Sequence, residues 1–246
     1  MTSARAQTSA RALCEWGGAG IEALRDRVAV LVIVDVLSFS TAVDVAVSRG
    51  AAVIPFPLGD PDAARAAADR AGAVLAMPRR AEGGQFSLSP ASLATLAEGT
   101  RLLLPSPNGS RLSLGGDATP VLAGCLRNAT AVAGVARRIA GTGAIGVIPA
   151  GERWPDGSLR PAIEDLIGAG AILHALDLPL SPEALVAREA FRSAGAGLAD
   201  LLRASMSGQE LIGRDFPQDV EYAVATDVSL TVPMLRDGAY RAVAPS

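Results

Sequence analysis

The chain has 246 residues, of which 50% are hydrophobic, and its formal net charge is −3 at pH 7. This length and composition allow one large α/β domain or two smaller lobes, and the acidic balance without a long basic run argues against a nucleic-acid partner. All 22 basic residues are arginine, which excludes a Walker phosphate loop, a Schiff-base mechanism and any catalytic triad that needs lysine.

The first half of the chain alternates strand and helix patterns. A leader precedes a short helix at 20–27, and the apolar run 28–34 predicts a central strand covered on both faces because it lacks polar alternation. Pro61 after Asp60 predicts the start of an Ala-rich helix over 61–71. The other predicted elements are a helix at 42–50, strands at 51–56, 74–77 and 101–104, a Gly-rich loop at 78–86 and a helix beginning at Ser89.

The second half continues the same alternation. The predicted elements are strands at 121–124 and 144–150 and helices at 129–140, 162–176, 181–191 and 195–205. Asn128 is the predicted N-cap of the first of these helices. Alternating strands and helices predict an α/β fold of three layers, α/β/α, around a largely parallel or mixed sheet. We predict two similar-sized lobes, residues 1–116 and 117–246.

Asp35 closes the first central strand and is the first candidate site residue. Ligands of open α/β sheets bind beyond the carboxyl ends of the strands, so this carboxylate and the hydroxyls of the next loop lie where a ligand is expected. The helix predicted at 42–50 would place its amino terminus beside these hydroxyls, which favours a bound anion. The loop hydroxyls belong to Ser38, Ser40 and Thr41.

Two further strand ends carry polar groups that suit a phosphate. The strand at 101–104 leads into an Asn-Gly segment, which we interpret as a crossing loop with exposed amides and hydroxyls rather than a hairpin. Arg127 is predicted to lie beside the amino terminus of the helix at 129–140. The substrate-binding candidates from these two loops are Ser106, Asn108, Gly109, Ser110 and Asn128.

Residues 151–170 concentrate charge between a strand and a helix. Two acids at the helix start can complement the helix dipole, but the dipole does not account for the others. With Asp35 on a neighbouring strand, the acids would form an oxygen-rich site of the kind that Mg²⁺ prefers, while the arginines would bind phosphate and a second anionic group. The predicted metal ligands are Asp35, Glu164 and Asp165, the catalytic residues are Asp35, Glu152 and Arg127, and the remaining anion-binding residues are Arg153 and Arg160.

Several short motifs, in this order along the chain, resemble those of one enzyme family. They are the segments 34–37 with 40–41, 86–90, 107–110, 127–129, 150–151, 163–165 with 169–170, and 219–233. Over nearly its whole length the chain resembles the 2-phosphosulfolactate phosphatase family, magnesium-dependent enzymes of coenzyme M biosynthesis. The resemblance implies hydrolysis of the phosphate monoester of a small acid, with Mg²⁺ as cofactor.

Two positions depart from the pattern of that family. Ser38 stands where the family commonly has arginine, and the loop at 84–90 is shorter than usual. Both positions are expected to face the substrate, so we predict a specificity shifted from 2-phosphosulfolactate toward another phosphorylated small acid. Arg79 and Arg80 lie in the Gly-rich loop at 78–86, which overlaps the shortened segment, and either replace the absent guanidinium or are two solvated surface arginines.

Other hydrolase classes fit the sequence less well. A haloacid-dehalogenase phosphatase needs a second aspartate where this chain has Leu37, and an isochorismatase-like hydrolase needs a lysine. A cysteine phosphatase needs an arginine six positions after its cysteine, where Ala131 follows Cys125. The alternative that stays open is a non-catalytic binder of phosphorylated metabolites on the same fold.

The remaining predictions concern location and partners. No apolar run reaches the roughly 18–20 residues that span a bilayer, so we predict a cytoplasmic protein without a membrane partner. A small phosphorylated acid is the predicted partner, nucleic acid is not, and a homodimer stays open.

Overall fold

The computed structural model describes residues 10–81 and 84–243. Most of the predicted leader, residues 1–9, and residues 82–83 of the predicted Gly-rich loop lie outside the described residues. The described strands are β1 (Ala12–Cys14), β2 (Val30–Val34), β3 (Ala52–Pro57), β4 (Val74–Leu75), β5 (Arg101–Ser106), β6 (Val121–Gly124), β7 (Ile145–Pro149), β8 (Glu152–Arg153), β9 (Leu159–Arg160), β10 (Val232–Arg236) and β11 (Ala239–Val243). The described α-helices are α1 (Gly17–Leu24), α2 (Phe39–Ser48), α3 (Pro61–Ala71), α4 (Pro90–Leu93), α5 (Gly109–Ser113), α6 (Ala129–Ala140), α7 (Ile163–Leu176), α8 (Pro182–Ala194), α9 (Leu198–Ala204), α10 (Met206–Gly213) and α11 (Pro217–Val224).

Nine of the described strands form one sheet, in the order β1-β7-β2-β6-β10-β11-β3-β5-β4. Strands β1, β7, β2 and β6 are parallel to one another, and so are β3, β5 and β4. The hairpin β10–β11 joins these two parallel blocks through antiparallel contacts with β6 and β3. The sheet is therefore mixed, as predicted, and β8 and β9 form a separate two-stranded ribbon.

Strand β2 is covered on both faces, which confirms the three-layer prediction. All five of its residues are fully buried, and alternate side chains enter two different hydrophobic clusters. Val30, Val32 and Val34 pack with side chains of α6, α7 and α8, whereas Leu31 and Ile33 pack with side chains of α1 and α2. Each such side chain contributes roughly 1.5–3 kcal/mol by its burial. The strand is therefore a firm base for the loop that follows it.

Several element bounds agree with the predictions for local reasons. Helix α3 covers the predicted residues, because the Asp60 side chain accepts a hydrogen bond from the Asp62 backbone N–H at 2.9 Å and caps the first turn. Gly72 ends the helix in the left-handed conformation, with φ 56°. Strand β6 and helix α6 also have the predicted bounds.

Some local features differ from the predictions. Helix α2 begins at Phe39 rather than at residue 42, so Ser40 and Thr41 lie in the helix and not in the loop before it. Helix α5 begins at Gly109, within the segment predicted as a crossing loop. Asn128 occupies the N-cap position of α6, but its Oδ1 accepts from the Cys125 backbone N–H at 2.9 Å, so the side chain does not cap that helix. The hairpin β10–β11 lies in a segment for which the apolar pattern predicts no strand.

The sheet combines strands from both predicted lobes, since β2 lies between β6 and β7. The lobe boundary near residue 116 stays a prediction. None of the described helices has the length and apolar character that a membrane span requires.

Candidate active site

Asp35 follows β2 and connects three segments of the chain. Its Oδ1 accepts a hydrogen bond from the Phe39 backbone N–H at 3.1 Å, and its Oδ2 accepts one from the Gly109 N–H at 2.9 Å. These two donors begin α2 and α5, where the first N–H groups of a helix have no partner within the helix. The carboxylate therefore lies at the strand end, as predicted, and holds two helix starts beside it.

The close approach of α5 to α2 requires glycine at position 109. A Cβ atom at this position would lie 2.2 Å from Cδ1 of Phe39, far inside van der Waals contact. The predicted substrate donor Gly109 thus donates its N–H to Asp35 instead. A larger residue would move this N–H away from the carboxylate.

Asp165, in the first turn of α7, connects two further loops in a similar way. Its Oδ1 accepts from the Val36 N–H at 2.7 Å, and its Oδ2 accepts from the Gly151 N–H at 2.8 Å. Gly151 has φ 68°, in the left-handed region that favours glycine. Asp165 thus fixes the loops after β2 and β7 against the start of α7.

Asp35, Glu152, Glu164 and Asp165 form one group, which we call the acid cluster. Burial raises the pKa of Asp35 and the negative charge of Glu152 raises it further. Burial also raises the pKa of Asp165, with Asp35 and Glu164 as the next causes. The pKa of Glu152 is raised, chiefly by burial. The cluster therefore carries more negative charge than its buried surroundings favour unless protons or a cation are present.

The three predicted metal ligands are adjacent in this cluster but do not form a complete set of ligands. In the described ranges no group of three or more His, Cys, Asp or Glu side chains is arranged to hold a metal ion. Asp35 and Asp165 each give both oxygens to backbone N–H groups. Glu164 is only 2% exposed, and its carboxylate receives no hydrogen bond from any residue that the structure describes.

A cavity of about 710 Å³ lies beside the acid cluster. Asp35 and Glu152 line its wall together with Ser38 and Asn108. Asn108 orients the glutamate, because its Nδ2 donates to Oε2 of Glu152 at 2.9 Å. The structure thus brings four of the predicted site residues to a single wall. They are Asp35 and Ser38 from the segment after β2, Asn108 from the residue before α5, and Glu152 from the start of β8.

Five other predicted substrate-binding residues are fully buried and do not line the cavity. Ser40 Oγ donates to the Ile33 carbonyl at 3.0 Å, and Thr41 Oγ1 donates to the Val36 carbonyl at 2.8 Å. Loops at strand ends leave backbone groups unpaired, and short polar side chains satisfy them. The five residues are Ser40, Thr41, Ser106, Ser110 and Asn128, and each bonds to neighbouring backbone groups.

Arg127 lines neither this cavity nor a second one described below. Its Nε donates to Asp44 Oδ2 at 2.8 Å, and its Nη1 donates to the Tyr222 carbonyl at 3.1 Å. Asp44 is fully buried in α2, so its charge depends on this partner. These contacts give Arg127 a structural role, and its predicted catalytic role stays a prediction.

The two remaining predicted arginines differ in burial and in their contacts. Arg160 is buried, donates to Ser207 Oγ at 3.3 Å, and opposes the rise in the pKa of Glu152 through its positive charge. Arg153 is exposed and lines a second cavity of about 360 Å³. Asn108 and Glu152 border both cavities.

The wall of the larger cavity also includes residues that no motif marks. Glu210 adds a negative charge that raises the pKa of Glu152. Its neighbours in the wall are Ser207, Arg214 and Phe216. The one sequence signal is the spacing of 207, 210 and 214, which places polar side chains on one face of a helix.

The chain matches a known family over most of its length. The family model described as 2-phosphosulpholactate phosphatase matches residues 21–238. A 2-phosphosulfolactate phosphatase of Methanothermobacter thermautotrophicus is 33% identical over 211 residues, which are 84% of this chain and 87% of that protein. The matched range contains the whole acid cluster and both ends of the Asn108–Glu152 pair. The chain therefore belongs to the 2-phosphosulpholactate phosphatase family.

Proposed function

We propose that the protein is a Mg²⁺-dependent phosphatase that hydrolyses the phosphate monoester of a small acid of the 2-phosphosulfolactate type. The observation that carries the proposal is the acid cluster, which reaches the cavity wall through Asp35 and Glu152. Membership in a phosphatase family supports the reaction class, hydrolysis of a phosphoric monoester, and suggests a divalent cation.

A divalent cation suits the acid cluster. Mg²⁺ commonly binds through one or two carboxylates, keeps several waters and takes further oxygens from a substrate phosphate, so an incomplete set of protein ligands is sufficient. We assign Asp35 and Glu164 as the ligands, because the first lines the cavity and the second receives no hydrogen bond from the described residues. Asp165 supports the loops around them. Bound there, the cation would neutralise negative charge on the phosphoryl oxygens.

Glu152 is the proposed general base. Burial raises its pKa toward the range in which a carboxylate takes a proton from water near neutral pH, and the side chain lines the cavity. Asn108 keeps one carboxylate oxygen fixed, which leaves the other to accept the proton. As water attacks phosphorus and gives its proton to Glu152, the bond from phosphorus to the ester oxygen breaks. The departing oxygen takes up a proton from solvent, and Glu152 releases its proton to solvent. Inorganic phosphate and the hydroxy acid are the products.

Phosphate release from 2-phosphosulfolactate tests the proposal. We expect turnover with Mg²⁺, loss of turnover in EDTA and recovery when Mg²⁺ is restored. Glu152→Gln and Glu164→Gln should each lower kcat by about 10²-fold, the usual scale for an electrostatic group of a catalytic site. Glu98→Gln, at an exposed position, is the matched control.

Two results would contradict parts of this proposal. Turnover that survives exhaustive chelation would refute the metal assignment. Binding of 2-phosphosulfolactate without any phosphate release would favour the non-catalytic binder instead.

A further inference from the structure

Arg79 is fixed beside the larger cavity by contacts on several sides. Its Nε donates to Asp219 Oδ2 at 3.1 Å, and its Nη2 donates to the Ser38 hydroxyl at 2.9 Å and to the Leu88 carbonyl at 3.3 Å. Its guanidinium carbon lies 5.4 Å from the centroid of the Phe216 ring. These partners come from three separate segments, around residues 38, 88 and 216–219, so the guanidinium has a defined orientation.

Asp219, in α11, anchors this arrangement. It is 1% exposed, its Oδ1 accepts from the Ser89 hydroxyl, and its Oδ2 pairs with Arg79. Removing the charged partner of so deeply buried a carboxylate strongly destabilises the folded protein. The ion pair is therefore a fixed part of the fold.

One nitrogen of Arg79 remains for a ligand. A guanidinium has five N–H donors, and those on Nε and Nη2 are engaged, whereas Nη1 donates to none of the residues that the structure describes. Arg79 lines the same cavity as Asp35 and Ser38. A fixed guanidinium gives directional, charge-assisted hydrogen bonds to anionic oxygens. Nη1 is thus a preorganised donor for an anion in this cavity.

We propose that Arg79 binds the acid group of the substrate, a carboxylate or a sulfonate, while the phosphoryl group lies at the acid cluster. This inference rests on the proposed function. Ser38 connects the two positions, because it follows Asp35 by three residues and contacts Arg79. A small phosphorylated acid can therefore contact both from within one cavity, and an ester without an acid group gains nothing from Arg79.

Arg80 provides a matched control from the same loop. Its guanidinium carbon also lies 5.4 Å from the Phe216 centroid, but its side chain is 60% exposed and pairs at 2.6 Å with Asp215, which is exposed as well. Exposed ion pairs of this kind fix a side chain only weakly. Arg80 lines the same cavity, but among the described residues no buried group fixes its guanidinium there.

Steady-state kinetics of Arg79→Gln, Arg79→Lys and Arg80→Gln test the inference. The probes are 2-phosphosulfolactate, 2-phospholactate, which lacks the sulfonate, and glycerol 2-phosphate, which lacks both acid groups and can be measured as a substrate or as a competitive inhibitor. Arg79→Gln should raise KM for 2-phosphosulfolactate by about 10- to 100-fold, with a much smaller change in kcat, because one charged hydrogen bond is lost. Glycerol 2-phosphate should bind unchanged, and Arg80→Gln should match the wild-type protein.

The comparison between substrates separates binding from structure. An equal rise of KM for 2-phospholactate identifies the bound group as the carboxylate, and a rise for 2-phosphosulfolactate alone identifies the sulfonate. Arg79→Lys keeps a charged partner for Asp219 and should recover part of the affinity, and it serves as the test variant if Arg79→Gln does not fold. An equal loss for glycerol 2-phosphate, or no loss for any ester, overturns the inference. A wild-type protein that hydrolyses none of the three esters would refute the proposed function instead.

Discussion

Replacement of Asp35 by asparagine should lower activity. It should also destabilise the protein at acidic pH and stabilise it at alkaline pH. In the metal-free protein, burial and the charge of Glu152 raise the pKa of Asp35 from 3.8 to about 7. Between about pH 4 and pH 7 the folded state therefore keeps a proton that the unfolded state releases. Wild-type stability should fall as pH rises through this window and level off above it.

The magnitude follows from this shift and from the two hydrogen bonds of the carboxylate. Each pKa unit corresponds to about 1.4 kcal/mol, so ionised Asp35 destabilises the metal-free protein by about 4 kcal/mol at pH 8.5. Asparagine carries no charge but offers one acceptor oxygen to two N–H donors, those of Phe39 and Gly109, and the unpaired donor costs about 1–3 kcal/mol. The variant should be less stable by about 1–3 kcal/mol at pH 4 and more stable by a similar amount at pH 8.5.

Urea unfolding in EDTA at the two pH values measures this reversal. Asp26→Asn makes the same chemical change at an exposed position after α1 and should have almost no effect at either pH. Phosphate release by Asp35→Asn, measured with Mg²⁺, should fall at least about 10²-fold. Parallel stability curves for the variant and the wild-type protein would refute the reasoning, and near-normal turnover would remove Asp35 from the mechanism.

Three further predictions concern neighbouring residues. Gly109→Ala should destabilise the protein by about 2 kcal/mol or more and lower activity, since the added Cβ would overlap Phe39. Gly134→Ala, with open space around it, is the control and should be neutral or slightly stabilising. Equal melting temperatures of the two variants would disprove the steric requirement. Asn108→Ala should raise the pKa of Glu152, because the Asn108 hydrogen bond lowers that pKa in the wild-type protein. The acidic limb of the pH–kcat profile should therefore move to higher pH. An unmoved limb would exclude Glu152 as the base. Arg127→Ala should destabilise by about 3–5 kcal/mol in urea titrations while the remaining folded enzyme stays active; a large loss of kcat in stable protein would restore the catalytic role.

The sequence predicts the parts of the fold that depend on local signals. Strand β2 can be recognised from its own continuous apolar run, without knowledge of the strands it pairs with. Helix α3 can be recognised from Pro61 at its start and Gly72 at its end. The β10–β11 hairpin is stabilised by its pairing with the distant strands β6 and β3. Its own residues show only a weak apolar pattern. The Asp237-Gly238 pair was the available signal, since both residues have positive φ and this dipeptide favours a two-residue hairpin turn.

Side-chain direction explains why the site is predicted only in part. Asp35 and Glu152 could be located from the strands that they follow. Ser40 and Ser110 lie in the first turns of α2 and α5 rather than in the expected loops, and their hydroxyls bond to backbone carbonyls. Sequence does not show which way a short side chain turns. Arg127 pairs with a residue 83 positions away, a distance at which charge pattern gives no information.

The central place of the β10–β11 hairpin has a consequence for the order in which the sheet can be assembled. Within the sheet that the structure describes, the two parallel blocks are joined through residues 232–243, so until this segment docks, β6 and β3 each have an unpaired edge that can pair with other chains. Docking also completes the surroundings of the site, because Tyr240 of β11 is fully buried, donates to Ser113 Oγ at 2.7 Å and contacts Phe39 edge-on at a centroid distance of 6.2 Å. Phe39 is the residue whose N–H binds Asp35. During synthesis, competence for catalysis and protection from aggregation should therefore arrive together, only after the hairpin has left the ribosome.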